Sequence, residues 1–287
     1  MYDIKKHFID HKIILLTSTK YKNFFDKSNL MDEILIDNRK GLLSVFLILK
    51  KIINYKFEII IDLQNSQRTS LYIFFIRLFS KIKINATSKY ANYRYTYSSN
   101  NMPSVIDGLS SQVEILGVKT SRKPHLNWLQ NDNFKIKEIN KKNYFLINPG
   151  CSKKNNQKKW SAKNYAKICT YLISVNILPV IIGSNEDLES INIIQKEENQ
   201  ILNLINNSPL DVVYQLSKNA VGALSNDTGP AHLIAASGCL TYLILSDFSN
   251  TKTVIPQGNN VSFIQKKNIE DILPDDVIEG IKQIFRI

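Results

Sequence analysis

Along the chain, short apolar runs alternate with longer stretches whose apolar residues recur every three or four positions, which predicts strands separated by helices. In the first half, residues 1–10 have helical spacing, with Ile4 and Phe8 on one side, and 11–17 read as a strand. A helix over 20–27, a short strand over 33–36 and an amphipathic helix over 42–54 follow. The run 57–63, FEIIIDL, is almost continuously apolar, as expected of a strand covered on both faces. Residues 65–80 are helical, 81–86 return as a strand, and 102–117 form a helix on Val105, Leu109, Val113 and Leu116. Residues 119–142 are polar, contain Pro124 and show little periodicity, so they form the linker.

From Asn143 the alternation restarts, with strands over 144–148, 178–183, 201–205, 220–225 and 239–245 and helices over 162–175, 185–196 and 209–218 between them. This order predicts an α/β fold with parallel sheets wrapped on both faces. The domains are 1–135 and 143–270, and the final segment, 271–287, carries a helix at 278–285 expected to return to the first domain. Two α/β units joined by a linker predict a cleft in which ligands bind. Doubly wound domains usually open with a central strand whose turn faces the ligand. This chain opens instead with the helix that should follow such a strand.

Composition narrows the class. The hydrophobic fraction of 44% suffices for packed cores, and the net charge of +12 raises the question of an anionic partner. The lysines are scattered through every segment among many Asn and Ile residues, as an AT-rich coding sequence produces. No RNP, zinc-finger or helix-turn-helix pattern accompanies them, so no nucleic-acid partner is implied. Cys151, Cys169 and Cys239 form no CxxC pair, and His7, His11, His125 and His232 are dispersed, so neither a disulfide framework nor a metal site is implied. No stretch is apolar enough to cross a bilayer and no secretion signal opens the chain, so a reducing cytoplasm is the expected setting. Residues 89–99, KYANYRYTYSS, suit stacking on sugars or bases, but a surface loop packed on its own domain is the favoured reading.

The candidate chemistry lies in the strand-to-helix turns of the second half. In LSNDTGPAHLIAASG, Asp227 and Thr228 can cap a helix, Gly229 permits a tight turn, and Pro230 fits a first helical position. The helix start would offer unpaired N–H groups and a positive dipole end to a phosphate; an ordinary capped turn is the plain alternative. All such turns emerge at one edge of a parallel sheet. The first, 150–160, brings Ser152, Lys153, Lys154, Lys158 and Lys159, suited to a pyrophosphate, and the second brings Glu186 and Asp187, suited to ribose hydroxyls. Together they point to a nucleotide diphosphate ligand.

The runs NPGCSKKNNQKKWSAKNYAKI, IIGSNED and LSNDTGPAHLIAASG resemble the ADP-heptose:lipopolysaccharide heptosyltransferase family, glycosyltransferase family 9. IIIDLQNSQRTSLY and MPSVIDGLSSQVEILG resemble the family's first-domain segments, so the resemblance runs over nearly the whole chain. It implies a GT-B fold of two Rossmann-like domains facing a cleft, and an inverting, metal-independent transfer from a nucleotide-sugar donor, with no cofactor. It also implies that Ser152 and Lys158 meet the donor's phosphates or sugar, Glu186 the ribose, and Asp227, Thr228 and Gly229 the diphosphate and sugar. His232 either assists or packs beside the site. Arg68 faces an anionic glycolipid acceptor or is a surface arginine, and lysine-rich faces would aid docking at the inner membrane surface. The resemblance does not fix an oligomeric state.

One departure bears on catalysis. Family members begin with a strand and an S-x-G-D turn whose Asp is the expected general base, and this sequence starts downstream of that turn, so the first domain is expected to lack its opening strand and the catalytic residue is unassigned. Asp62 is the nearest carboxylate by edge position, but an acidic residue there belongs to the family pattern alongside the absent Asp. A catalytically silent sugar-nucleotide-binding protein and a truncated version of an active enzyme are the rival readings.

Overall fold

In the computed structural model, which describes residues 1–38, 41–131, 133–139, 142–150, 157–256 and 259–287, the chain divides into two compact units, Met1–Trp128 and Leu129–Ile287. The division falls earlier than the periodicity suggests. Phe134, Ile136 and Ile139 pack onto a core of the second unit, and the Gln215 side-chain amide donates to the Leu129 carbonyl. Residues read as linker, including 129–135 at the tail of the first domain, therefore belong to the second unit. Scattered apolar residues in a polar stretch have no period to reveal which core they join.

The first unit runs α1 (Tyr2–His7), β1 (Ile14–Thr17), α2 (Thr19–Asp26), β2 (Glu33–Ile36), α3 (Gly41–Asn54), β3 (Ile59–Ile61), α4 (Gln67–Phe79), β4 (Lys83–Ala86), β5 (Tyr93–Arg94) and α5 (Val105–Glu114). Its strands form two parallel sheets, β1-β2 and β3-β4-β5. Among the described residues β1 pairs only with β2 and β3 only with β4, so each keeps one unpaired edge. This accounts for the burial of Ile59, Ile60 and Ile61, which are half-covered rather than sealed on both faces as FEIIIDL suggests. α4 starts at a reciprocal cap in which Ser66 Oγ accepts from the Thr69 N–H and Thr69 Oγ1 from the Ser66 N–H. Ile48, Leu49 and Ile52 of α3 meet Tyr72, Ile73 and Ile76 of α4 in one apolar cluster, while Ile4, Val113 and Val118 form another. The tyrosine-rich segment contributes β5 and packs on its own unit, with Tyr90 tilted against Phe74 at 5.0 Å.

The second unit runs β6 (Tyr144–Asn148), α6 (Ala162–Ser174), β7 (Leu178–Gly183), α7 (Leu188–Glu197), β8 (Leu202–Ile205), α8 (Leu210–Asn219), β9 (Gly222–Asn226), α9 (Gly229–Ala236), β10 (Thr241–Ser246), α10 (Thr251–Val254), β11 (Val261–Lys266) and α11 (Pro274–Phe285). All strands are parallel, in the order β11-β10-β9-β6-β7-β8. Alternate residues of β6 serve opposite layers: Phe145 and Ile147 enter a core with α6 and α11, Tyr144 and Leu146 one with α8 and α9. The chain runs outward from β6 to β8, then returns to the other side at β9. This reversal between β6 and β9 opens the crevice at which doubly wound sheets bind ligands.

Two differences concern the end of the chain. The sheet has six strands rather than five, because β11 pairs β10 along its whole length; its mixed sequence VSFIQK, only partly buried at the sheet edge, gives a weak apolar signal. α11 starts at Pro274 and belongs to the second unit, where it packs on α6 with Val277, Ile281 and Phe285 buried in the core. Its start was legible, since Pro at the first helical position followed by Asp275 and Asp276 is a helix-opening pattern. Its partner was not, since an apolar stripe does not say which apolar surface it will cover.

Candidate functional site

The crevice between β6 and β9 is held by three polar residues, Asn148, Asn226 and Asp227. Asn148, at the end of β6, is buried beside Ser225 of β9 and donates to Ser225 Oγ and Thr228 Oγ1, both at 2.8 Å. Asn226 then fastens both shoulders of the loop after β6. Its Nδ2 donates to the Pro149 and Gly150 carbonyls at 3.1 and 3.2 Å, and its Oδ1 accepts from the Trp160 N–H at 3.3 Å. Trp160 is itself buried, with its indole N–H on the Ile272 carbonyl at 2.9 Å. The third residue, Asp227, accepts from Lys158 Nζ at 2.8 Å and from Ser249 Oγ at 3.0 Å through the same oxygen.

The turn after β9 leads into α9. Thr228 occupies the cap position in extended backbone, but its hydroxyl is engaged by Asn148 and makes no capping hydrogen bond to the helix. Gly229 is exposed, and a side chain there would meet open space. The helix therefore presents its positive end and backbone to solvent beside the Lys158–Asp227 pair, an arrangement suited to an anion. His232 stands one turn further on. Although its ring is exposed at one side, the surrounding protein withdraws water and holds the imidazole below its ordinary value of 6.5, with the Asp227 charge pulling the other way. The ring is neutral at pH 7.

Glu186 sits in the turn after β7, exposed to solvent. Its neighbour Asp187 is committed to the fold: its Oδ2 accepts from the Ser184 N–H and hydroxyl at 2.9 and 3.1 Å, and it lies so close to Gly150 that a Cβ there would stand 2.6 Å from Oδ1. Gly150 is thus needed for the β6 and β7 turns to meet.

The fold brings Lys158, Asp227, Thr228, Gly229 and His232 together, with Glu186 on the next turn along the same edge. Ser152 falls outside the described residues. Asn148, Asn226, Ser249 and Trp160 were missed by sequence reasoning. Asn226 had a signal, since it ends an apolar strand inside the quoted N-D-T-G run, whereas Ser249 had none.

Arg68, in the first turn of α4, is neither a free surface arginine nor an open cation. Its Nη2 donates to Asp37 Oδ1 at 3.2 Å, the Tyr72 hydroxyl donates to Asp37 Oδ2 at 2.9 Å, and the guanidinium lies 5.3 Å from the Tyr72 ring centre. Asp37 is buried just beyond β2. Asp62 has one oxygen accepting from the Gln64 and Asn65 N–H groups, which closes its turn, and a second that is buried with no hydrogen-bond partner among the described residues. Among the described residues no cluster of His, Cys, Asp and Glu could hold a metal ion.

The family model for glycosyltransferase family 9 (heptosyltransferase) matches residues 45–242. A search of curated protein sequences finds no match. Among solved structures, the fold is similar to a family 9 glycosyl transferase from Veillonella parvula, with TM-score 0.78 and 16% identity, covering 99% of this chain and 91% of that one. It is also similar to ADP-heptose lipopolysaccharide heptosyltransferase II of E. coli, with TM-score 0.74 and 16% identity over 99% and 92% of the two chains. E. coli heptosyltransferase WaaC, solved with ADP, gives TM-score 0.74 and 12% identity over 99% and 93%. The two parallel-sheet units are those of a GT-B fold.

Proposed function

The chain belongs to glycosyltransferase family 9, the heptosyltransferases, and on that premise we propose that it moves a heptose-like sugar from a nucleotide diphosphate donor, ADP-heptose in the first instance, to a lipopolysaccharide core or related anionic glycan. The observation that carries the donor half is the start of α9, where Thr228 makes no capping hydrogen bond and Gly229 is exposed, beside the Lys158–Asp227 pair. In an inverting transfer, an acceptor hydroxyl attacks the anomeric carbon, the bond from that carbon to the phosphate oxygen breaks, and the nucleoside diphosphate leaves with the added negative charge. The α9 dipole and the Lys158 ammonium would stabilise that charge as it forms, without a metal ion. Asp227, itself held by the Ser249 hydroxyl, keeps Lys158 in place before the ligand arrives and can then accept from a sugar hydroxyl. Neutral His232 can donate one ring N–H to a phosphate oxygen, Glu186 is placed to accept from ribose hydroxyls, and Thr228 and Gly229 supply the backbone approach. Ser152 is assigned to the same phosphates by its motif. Arg68, pre-set by Asp37 and Tyr72, would meet the anionic acceptor, at a cytoplasmic or peripheral membrane location.

Isothermal titration of the full chain with ADP, other nucleoside diphosphates and their sugars tests the donor reading. One adenine-nucleotide site is expected. Lys158→Met should weaken it about tenfold or more, the worth of one charge-assisted hydrogen bond of ~1.5–3 kcal/mol. Absence of binding across the panel, or an unchanged Lys158→Met, would overturn it.

A binding-only protein is the second reading, favoured by one observation. Of two carboxylates placed just beyond strand ends of the first unit, Asp37 has both oxygens engaged in the fold, and Asp62 has one engaged and the other buried. A general base must be able to reach the acceptor proton. Nucleotide-sugar binding without product release on a lipopolysaccharide-core acceptor would select this reading; measurable turnover would reject it.

A further inference from the structure

α3 and α4 each bury one face and leave a second apolar face uncovered. In α3, Val45, Ile48, Leu49 and Ile52 turn inward, while Leu43, Phe46 and Leu47 are 72%, 63% and 57% exposed. The same outer face continues as Lys50 and Lys51, both exposed, because positions three, four, seven and eight apart share one side of a helix. In α4, Tyr72, Ile73 and Ile76 turn inward, while Leu71, Phe74, Leu78 and Phe79 are exposed, Leu78 and Phe79 by 63% and 67%. The two inner faces meet in one cluster, so the two outer faces look away from it on the same side of the unit.

Charge surrounds this apolar surface with one sign. Neither helix contains Asp or Glu. Between Asn38 and Ile106 the only acidic residues are Glu58 and Asp62, whereas Lys and Arg recur throughout. The stretch is therefore basic because it is poor in acids, not because its lysines are denser than elsewhere. α3 and α4 lead into the parallel strands β3 and β4, so Lys50, Lys51 and Arg77 at their C-terminal ends gather at one edge of the apolar face. At its flank, Lys89 lies 5.1 Å from the ring centre of Tyr90, which rests on Phe74.

We propose that the outer faces of α3 and α4 dock on an anionic phospholipid surface, with Leu43, Phe46, Leu47, Leu78 and Phe79 entering the headgroup boundary and Lys50, Lys51 and Arg77 pairing with lipid phosphates. Leucine and phenylalanine at the centre with cations at the border is the composition of an interfacial helix. The helices, of 14 and 13 residues, are too short to span a bilayer, and no described helix is long and apolar enough to cross one. A second copy is disfavoured by charge, since the same helices of a copy offer no acidic residue to Lys50, Lys51 and Arg77. Nucleic acid would leave the apolar centre unmatched. The inference deepens the peripheral-membrane part of the proposed function and rests on it, but needs neither the donor nor the reaction.

The test is co-sedimentation of the full chain with vesicles of phosphatidylcholine alone or mixed equally with phosphatidylglycerol, free of any glycolipid. The chain should bind the anionic vesicles in a salt-sensitive manner. The variant F46S/L47S/L78S/F79S should lose about tenfold or more in partitioning, and K50E/K51E should fall to the level seen with neutral vesicles. Both change exposed side chains only, and unchanged melting together with unchanged ADP titration will verify that the fold and the donor site are intact. Three results would overturn the proposal: no binding to anionic vesicles, equal binding to neutral ones, or a wild-type dimer that the apolar variant dissolves while vesicle binding is absent. Failure of ADP titration with vesicle binding retained would count against the donor reading alone.

Discussion

At the scale of single residues, the candidate site is pre-arranged by groups that need not touch a ligand. Asn148 and Asn226 tie the β6 and β9 turns together, and Asp227 holds Lys158. His232 offers the most direct readout of an anion arriving there. Its free-protein midpoint lies below 6.5 because burial disfavours the charged ring. A diphosphate at the α9 start would favour the imidazolium, so ADP should raise the midpoint of the His232 Cε1 proton in an NMR titration, and binding should take up a proton between the two midpoints. A midpoint unmoved by saturating ADP would place the nucleotide elsewhere. The same shift has a sign for stability. Below 6.5 the unfolded chain binds more protons at this residue than the folded one, so stability falls as pH drops from 6.5 toward the folded midpoint, and His232→Asn should remove that component.

At the scale of elements, α11 closes the second unit through a close approach that only glycine permits. Any Cβ on Gly222, at the start of β9, would overlap the Phe285 ring and stand 2.8 Å from Phe145, and the two rings meet edge to face at 4.9 Å. Gly222→Ala should cost about 1–3 kcal/mol in denaturant unfolding, as overpacking does in a filled core. Phe285→Leu should recover part of that loss, giving a favourable coupling in a double-mutant cycle. Simple addition of the two costs would mean that the strand and the helix shift apart freely. Because β9 ends at Asn226, next to Asp227, its seating also sets the site, so Gly222→Ala should weaken ADP binding in the same preparations.

At the scale of the whole molecule, charge and ligand chemistry are divided between the units. The basic, acid-poor stretch lies in the first unit, whereas the proposed anion site at α9 lies in the second. A ligand that binds only the folded second unit raises the stability of that unit by mass action, about 2.7 kcal/mol at 100 times Kd. Calorimetry with ADP at that excess should therefore raise the unfolding transition of Leu129–Ile287. An equal effect from ADP on a Lys158→Met chain would show that the site is not the one described here.

The sequence by itself determined the order of strands and helices, the α/β class and the family, because hydrophobic period, glycine and proline punctuation and the N-D-T-G-P run are local properties. It also named most of the residues at the α9 start, since a strand-to-helix turn is built from neighbours in the chain. Tertiary structure alone decided what those residues touch. That Lys158 pairs with Asp227, that Arg68 is held by a buried Asp37, and that Gly150 makes room for Asp187 depend on contacts between segments far apart in sequence. The same reason hid the sixth strand, the seat of α11 and the membership of 129–139. An edge strand, an amphipathic helix and a few isolated apolar residues each carry a surface that must be covered, and only the packed chain specifies what covers it.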